Sequence, residues 1–170
     1  TVSWVNFKRR FRLAPVAESC CAIAGTQQAG FLIRDNIRHR NDILHAYLHA
    51  IDNAKHSILI ANAYFLPGIR FGRALYAAAQ RGVKITVLLQ GKSDHQLLRY
   101  ATQTLYATAL QAGIRIFEYE KSFMHAKVAV IDGEWATVGS SNIDPFSLLL
   151  AKEANLVIRD PKFAGELRSS

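Results

Sequence analysis

Three short apolar runs separated by helical segments constrain the fold of this 170-residue chain more than any other feature. The runs lie at residues 57–65, 83–89 and 114–119, and each has the length and composition of a buried strand. Helices are predicted at residues 41–53, at 71–81, and from 93 or 94 to 112. The alternation of strands with helices predicts a parallel sheet with right-handed crossovers.

The last third of the sequence predicts antiparallel pairing instead. Asp132-Gly133 is typical of a two-residue hairpin turn, and Asp160-Pro161 is typical of a helix start. Strands are predicted at residues 125–131, 134–139 and 153–158. The predicted fold class is therefore α/β, with a mixed β-sheet flanked by helices on both faces.

Composition and charge limit the class of protein and its partners. Half of the residues are apolar and a fifth are charged, which suffices for the core of one domain. The formal net charge of +8 favours anionic partners such as nucleic acid, phosphorylated substrates or an acidic lipid surface. No apolar run approaches the roughly 18 to 20 residues of a membrane span. We interpret residues 1–30 as a connector from an upstream half and residues 31–170 as the domain.

Six residues in the antiparallel region follow the pattern H-x-K-x4-D-x6-G-S-x-N. They are His125, Lys127, Asp132, Gly139, Ser140 and Asn142. His125 and Lys127 are two apart on a predicted strand, so both side chains leave the same face. The hairpin folds the chain back and brings Asn142 near the start of that strand. Lysine and asparagine can hold the oxygens of a phosphodiester, and a neutral histidine can attack phosphorus.

The small and acidic members of the pattern have their own expected roles. Gly139 and Ser140 are small enough to let the backbone approach an oxyanion closely. Asp132 has two interpretations, since an aspartate before glycine shapes a turn and a carboxylate can also take part in catalysis.

The pattern resembles the HKD motif of the phospholipase D superfamily and matches its consensus at every position. The resemblance implies that one histidine attacks the phosphodiester and forms a phosphohistidine. A second histidine, from a second copy of the motif, protonates the leaving alcohol and then deprotonates the incoming alcohol or water. The resemblance implies no metal and no other cofactor. It makes His125 a nucleophile or general acid/base and makes Lys127 and Asn142 phosphate ligands, assisted by Ser140 or Ser141.

The residues after the motif narrow the resemblance to the bacterial cardiolipin synthase branch, and to its B-type in particular. Asn142 begins an N-x-D-x-x-S sequence, and a glutamate, Glu153, follows it. In that branch the glutamate orients the catalytic histidine and raises its basicity, which implies this role for Glu153. Ala151 stands where the branch usually has asparagine, so we expect altered loop support with catalysis intact. Similar stretches occur at residues 33–36, 61–68 and 135–138.

Two aromatic residues are further candidates for the site. Tyr64 and Phe65 end a predicted parallel strand, where open α/β sheets place their ligands. They are predicted either to line the substrate mouth or to be core aromatics.

The resemblance implies a phosphatidyltransferase that forms cardiolipin from phosphatidylglycerol and a second phospholipid or alcohol. Its implied location is peripheral, on the cytoplasmic side of a bacterial inner membrane, with an anionic phospholipid surface as partner and no nucleic acid. One motif supplies one histidine, so we expect a second HKD half in the same parent chain or in a homodimer partner. The isolated chain is expected to be inactive without that half.

Two alternatives remain open from the sequence. The first is a metal-independent phosphodiesterase of the nuclease type that completes its site by dimerising. The second is a non-catalytic half-domain that only binds anionic lipid.

Overall fold

A seven-stranded mixed sheet forms the centre of the protein. The computed structural model describes residues 27–92 and 103–170. The strands are β1 (Gln28–Arg34), β2 (Ser57–Asn62), β3 (Lys84–Gln90), β4 (Arg115–Tyr119), β5 (Lys127–Ile131), β6 (Trp135–Gly139) and β7 (Glu153–Arg159), and their order across the sheet is β1-β7-β6-β5-β2-β3-β4. The strands β2, β3 and β4 are parallel, and every other neighbouring pair is antiparallel.

Helices cover both faces of the sheet. They are α1 (Asp42–Asn53), α2 (Ile69–Gln80), α3 (Tyr106–Gln111), α4 (Pro145–Leu149) and α5 (Pro161–Ser169). The predicted fold class is confirmed, because a mixed sheet with helices on both faces is what the chain forms. None of the helices within the two described ranges is long and apolar enough to cross a bilayer.

The larger core lies between one face of the sheet and helices α1 and α2. Apolar residues recur along α1 at helical spacing, and Tyr47 and Ile51 are fully buried on that stripe. The Tyr47 ring packs against Phe71 of α2 and Trp135 of β6, with centroid separations of 5.5 and 5.7 Å. This packing fixes two helices and the antiparallel half of the sheet in one arrangement.

A smaller cluster lies under α5 on the opposite face. Ala164 of α5 is fully buried against Val130 of β5 and Ala136 of β6. Asp160 caps the helix by accepting the Phe163 N–H at 2.6 Å, and Pro161 follows it in the first turn, as the sequence predicted.

The hairpin between β5 and β6 is longer than predicted by one residue. Ile131 is paired with Trp135, which leaves three residues in the loop instead of two. Asp132 and Gly133 have φ of +53° and +68°, a conformation that aspartate tolerates and glycine adopts freely. The Glu134 N–H donates to the Ile131 carbonyl at 3.2 Å and closes the turn.

Several predicted boundaries shift when the strands are assembled. The first strand pairs from Gln28 onward with β7, so three residues assigned to the connector belong to the sheet. Strand β2 ends at Asn62 instead of residue 65, and β5 begins at Lys127 instead of residue 125. The rest of the predicted connector, residues 1–26, and residues 93–102 of the third predicted helix lie outside the described residues.

Candidate active site

The candidate site is built around the pairing of β2 with β5. Asn62, the last residue of β2, is the register partner of Lys127, the first residue of β5. Both residues are buried, with exposed fractions of 0% and 7%. They lie where the parallel strands end, the edge at which open α/β sheets bind their ligands.

Burial of Lys127 changes its electrostatics. Removal from water lowers the pKa of the ammonium group, and the nearby carboxylates of Glu153 and Asp144 oppose that shift. Its Nζ donates one weak hydrogen bond, to the His125 carbonyl at 3.4 Å. A partly dehydrated cation interacts more strongly with a phosphate oxygen than an ammonium group in bulk water does.

His125 lies just before β5, and its side chain is exposed to solvent. The Ala63 N–H donates to the Ala126 carbonyl at 2.9 Å, which extends the β2–β5 pairing by one residue. This extension places Tyr64, which is half-buried, opposite His125, and both residues lie at the same edge as Lys127. The two-residue spacing from His125 to Lys127 is therefore kept, although His125 is outside the strand.

The return of the chain after β6 brings the serines and Asn142 to this edge. The Ile143 N–H donates to the Asn62 side-chain oxygen at 3.4 Å, and the Ile143 carbonyl accepts from Leu66 N–H at 2.8 Å. Asn142 immediately precedes this anchored residue, and its buried Oδ1 atom has no hydrogen-bond partner. A buried carboxamide oxygen without a partner suits an incoming hydroxyl or protonated group.

Ser140 and Glu153 face each other at the opening of the loop between β6 and β7. The Ser140 hydroxyl donates to the Glu153 carboxylate, and it accepts from the Ala154 N–H at 3.0 Å. Ser141 is completely buried, and its N–H donates to the Asn155 side-chain oxygen at 3.4 Å. The two serines therefore shape the loop, and only Ser140 presents its hydroxyl to solvent.

Gly139 was expected to be small so that the backbone can approach an oxyanion. Packing inside the protein also excludes a larger residue at this position. A Cβ at this position would overlap the side-chain amide of Asn155 and the carbonyl oxygen of Ala154. Asn155 is buried and also donates from its amide nitrogen to the Thr137 hydroxyl at 3.2 Å. The absence of a side chain at Gly139 leaves room for the Asn155 side chain to pack against the backbone of the loop.

Asp132 is separated from the other motif residues by the length of β5, which is roughly 13 to 16 Å for four to five residues. Its carboxylate accepts the N–H groups of Lys55, His56 and Ser57, each at 2.8 Å. Burial raises the pKa of Asp132, but these three donors outweigh burial and hold it below its ordinary value. The turn interpretation of Asp132 fits this position, and the position offers no contact with the candidate site.

Phe65 is buried and belongs to the core, whereas Tyr64 stays at the edge. The backbone of Phe65 forms an isolated bridge with Ile143. Its ring joins the main cluster under α2, so the core interpretation fits Phe65.

Three residues of the site were not predicted. Asn62 and Asn155 are polar residues within apolar strands, and that interruption was their signal in the sequence. Arg34 at the end of β1 is completely buried, and its guanidinium donates to the carbonyl oxygens of Leu149 and Ala151. Nothing local in the sequence indicates that this arginine faces inward.

The described residues contain no group of three or more histidine, cysteine, aspartate or glutamate side chains placed to hold a metal ion. The chemistry available at the edge is that of an imidazole, an ammonium group, carboxamides, a hydroxyl and the carboxylates of Glu153 and Asp144. This set can bind a phosphodiester and carry out nucleophilic and acid-base steps on it.

The sequence matches the family described as cardiolipin synthase, PLD-like domain, over residues 47–170. It is 45% identical over 146 residues to cardiolipin synthase B of Escherichia coli K12, which covers 86% of this chain and 35% of that protein. It is 38% identical over 128 residues to cardiolipin synthase of Staphylococcus aureus N315, covering 75% of this chain and 26% of that protein. The chain thus spans about a third of the length of the first relative and about a quarter of the second.

The fold is similar to those of two solved structures. The phospholipase D family member Nuc from Salmonella typhimurium superposes with a TM-score of 0.69 at 23% identity, covering 85% of this chain and 91% of Nuc. Phosphatidylserine synthase from Haemophilus influenzae superposes with a TM-score of 0.67 at 13% identity, covering 86% of this chain and 38% of that protein.

Proposed function

The chain belongs to the family of cardiolipin synthase PLD-like domains, and we propose that it carries one of two half-sites of a phosphatidyltransferase. The reaction is the formation of cardiolipin from phosphatidylglycerol and a second phospholipid or alcohol. The observation that carries this proposal is the convergence of His125, Lys127 and Asn142 at one sheet edge in a chain 45% identical to a cardiolipin synthase.

The proposed first step is attack on the lipid phosphorus by the imidazole of His125. The bond between phosphorus and the oxygen of the headgroup glycerol breaks, and a histidine of the second half-site protonates that oxygen. Glycerol leaves, and the phosphatidyl group remains on His125. Lys127 and the side-chain amide nitrogen of Asn142 donate to the phosphate oxygens, with Ser140 at the loop opening. The buried ammonium of Lys127 stabilises negative charge as it develops in the transition state.

In the second step the same partner histidine takes the proton of the acceptor hydroxyl. The acceptor oxygen bonds to phosphorus, and the bond between phosphorus and His125 breaks, which restores both histidines. Exclusion of water from the closed site favours the alcohol over hydrolysis. Glu153, which accepts a hydrogen bond from Ser140, lies in the same cluster and is proposed to orient His125 and raise its basicity.

The second half-site is proposed to come from the same parent chain or from a second copy of this one. The described chain offers one HKD motif, whose histidine is exposed and therefore accessible to a partner group. Acid and base roles on opposite sides of the phosphorus need two such groups.

An anionic phospholipid surface is the proposed partner of this edge, with peripheral attachment on the cytoplasmic side of a bacterial inner membrane. Exposed apolar side chains lie in loops and in the first turns of two helices around this edge, and exposed basic side chains flank them. They are Ile37, Ile69, Phe123, Phe146 and Leu150, with Arg70, Lys121 and Lys152. Apolar tips beside basic residues are typical of interfacial attachment to anionic lipid.

The test is a lipid assay on the full-length protein. Phosphatidylglycerol vesicles are incubated with the protein, with and without EDTA, and cardiolipin and glycerol are followed by mass spectrometry. Cardiolipin formed in the presence of EDTA supports the proposal. Phosphatidic acid without cardiolipin would make the protein a lipase. DNA cleavage without any lipid product would favour the phosphodiesterase, and no turnover at all would favour a lipid-binding half-domain.

The site assignment is tested by His125→Ala, with His45→Ala as the matched control. Both histidines are exposed, and His45 lies on α1 away from the motif. We expect His125→Ala to abolish cardiolipin formation without lowering the melting temperature, and His45→Ala to change neither. Near-normal transfer by His125→Ala would refute its role.

A further inference from the structure

An apolar groove lies between α2 and α3, over the parallel half of the sheet. Its volume is about 280 Å³, slightly below the range of drug-sized binding pockets. Its floor includes the buried side chains Phe65, Leu75, Val87 and Ile114. Among the described residues that line it, none carries a charge, and the Tyr106 hydroxyl is already bonded to Glu118 at 2.8 Å.

One end of the groove meets the candidate active site. Phe65, Pro67 and Gly68 line that end. The backbone of this segment contacts the loop that follows β6, because Phe65 bridges Ile143 and the Leu66 N–H donates to the Ile143 carbonyl at 2.8 Å. Ile143 is the neighbour of Asn142, so the groove begins next to a proposed phosphate ligand.

Two glycines keep the groove open. Gly68 precedes α2 and Gly72 lies within it, and a Cβ at either position would meet no atom within 4 Å. Ile69, Gly72 and Tyr76 share one stripe of α2, since they are three and four residues apart. Ile69 and Tyr76 are 73% and 51% exposed, so this wall of the groove presents apolar surface without a covering partner in the described chain.

We propose that this groove binds one acyl chain of the phospholipid substrate while the phosphate group is held at the Lys127 and Asn142 edge. The inference rests on the proposed function, since it assigns a place to the apolar part of the same substrate. The uncharged lining does not suit a headgroup, a nucleotide or a charged peptide, because burying their charges without partners is costly. The continuity of the groove with the phosphate edge is what favours an acyl chain attached to that phosphate.

Gly72→Leu is the test variant, because its side chain fills the groove without an initial clash. Leucine also favours a helix interior more than glycine does, so the fold is expected to remain intact. Gly165→Leu is the matched control. Gly165 lies in α5 on the opposite face of the sheet, and its Cβ would likewise meet no atom within 4 Å.

The readout is the dependence of kcat/KM on acyl-chain length in the full-length protein. The substrates are dioleoyl-phosphatidylglycerol in mixed micelles and soluble dihexanoyl-phosphatidylglycerol. We expect Gly72→Leu to lower kcat/KM for the long-chain lipid by at least about tenfold while the short-chain value changes by less than about twofold. Gly165→Leu is expected to change neither. Equal effects on both lipids, or no effect on either, would overturn the proposal.

A second measurement is independent of turnover. Wild-type protein is illuminated with phosphatidylglycerol that carries a diazirine on one acyl chain, in vesicles of phosphatidylcholine and phosphatidylglycerol. Adducts on α2 or α3 that decrease in Gly72→Leu support the groove, even if no cardiolipin is formed and the proposed function fails. Adducts confined to other elements contradict it, as does a change of oligomeric state in Gly72→Leu, which would indicate a protein occupant.

Discussion

The guanidinium group of Arg34 donates a hydrogen bond to the main-chain oxygen of Leu149, at the end of α4. A second bond reaches the carbonyl of Ala151, and the arginine is completely buried. These carbonyls lie at the last residue of a short helix and two residues beyond it, so neither has a partner within the helix. Arg34 is also the register partner of Glu153, so β1 supports the far end of the loop that begins at Ser140.

Arg34→Lys is predicted to lower kcat about tenfold or more. A single ammonium cannot reproduce the two parallel bonds of the guanidinium, and a small displacement of Asn142 and Glu153 is costly in a positioned site. Arg81→Lys is the matched control, because Arg81 donates to the Ile51 carbonyl at 2.8 Å in the last turn of α1, away from the site. Both variants are expected to lose some thermal stability. If Arg34→Lys and Arg81→Lys lower kcat equally, Arg34 has no specific role in positioning the site.

Lys127→Met is predicted to abolish transfer while leaving the melting temperature at pH 7 unchanged or higher. Burial lowers the pKa of Lys127 below the unfolded value of about 10.4, so the folded state holds this proton less tightly. The charge therefore costs stability at neutral pH, and the cost disappears as pH rises through the folded pKa toward the unfolded one. Calorimetry from pH 7 to 10 should show wild type gaining stability relative to Lys127→Met. Lys152→Met, at an exposed position just before β7, should show no such difference.

Asp132→Asn is predicted to reduce stability without reducing the activity of the folded protein. Asparagine tolerates the positive φ of this position, but it is neutral and loses one acceptor for the three N–H groups. A loss of about 1 kcal/mol would lower the melting temperature by roughly 2 to 4 °C. Glu134→Gln, an exposed carboxamide substitution in the same turn, serves as the control. A large decrease in kcat at full folding would instead support the catalytic interpretation of Asp132.

The lowered pKa of Asp132 predicts that the free energy of unfolding decreases at acidic pH. The folded pKa of Asp132 is below its unfolded value of about 3.9, so its contribution is fully present above that pH. The contribution is lost as pH falls through the folded pKa. Wild type and Asp132→Asn should therefore converge in melting temperature below about pH 4, and a constant difference down to pH 2 would contradict this linkage.

Gly139→Ala is predicted to destabilise the fold by about 1 to 3 kcal/mol, because the added Cβ overlaps the Asn155 amide. The double variant with Asn155→Ala should recover part of that loss, since it removes the overlapping group. Urea unfolding of the two single variants and the double variant measures the coupling. Strict additivity would show that the two positions do not interact.

The sequence alone was sufficient for the fold class and for recognising the motif and its family. The β2–α2–β3 alternation and the Asp132-Gly133 turn are local signals, and local signals predict elements within a few residues. The spacing of His125, Lys127 and Asn142 required no tertiary information to be recognised. The assembled sheet then brought Lys127 and Asn142 to one edge, as the predicted hairpin required.

Only the tertiary structure shows where the other residues discussed above lie in the sheet and which residues they contact. Asp132 is in the motif but at the opposite end of β5, because a strand of five residues separates its two ends by more than any hydrogen bond can span. Asn155 leaves no room for a side chain at Gly139, although the two residues are 16 positions apart. Arg34 donates to the carbonyl of Leu149, which is 115 positions away. Such contacts arise from strand order and register, which are set by the packing of the whole sheet and leave no periodic trace along the chain.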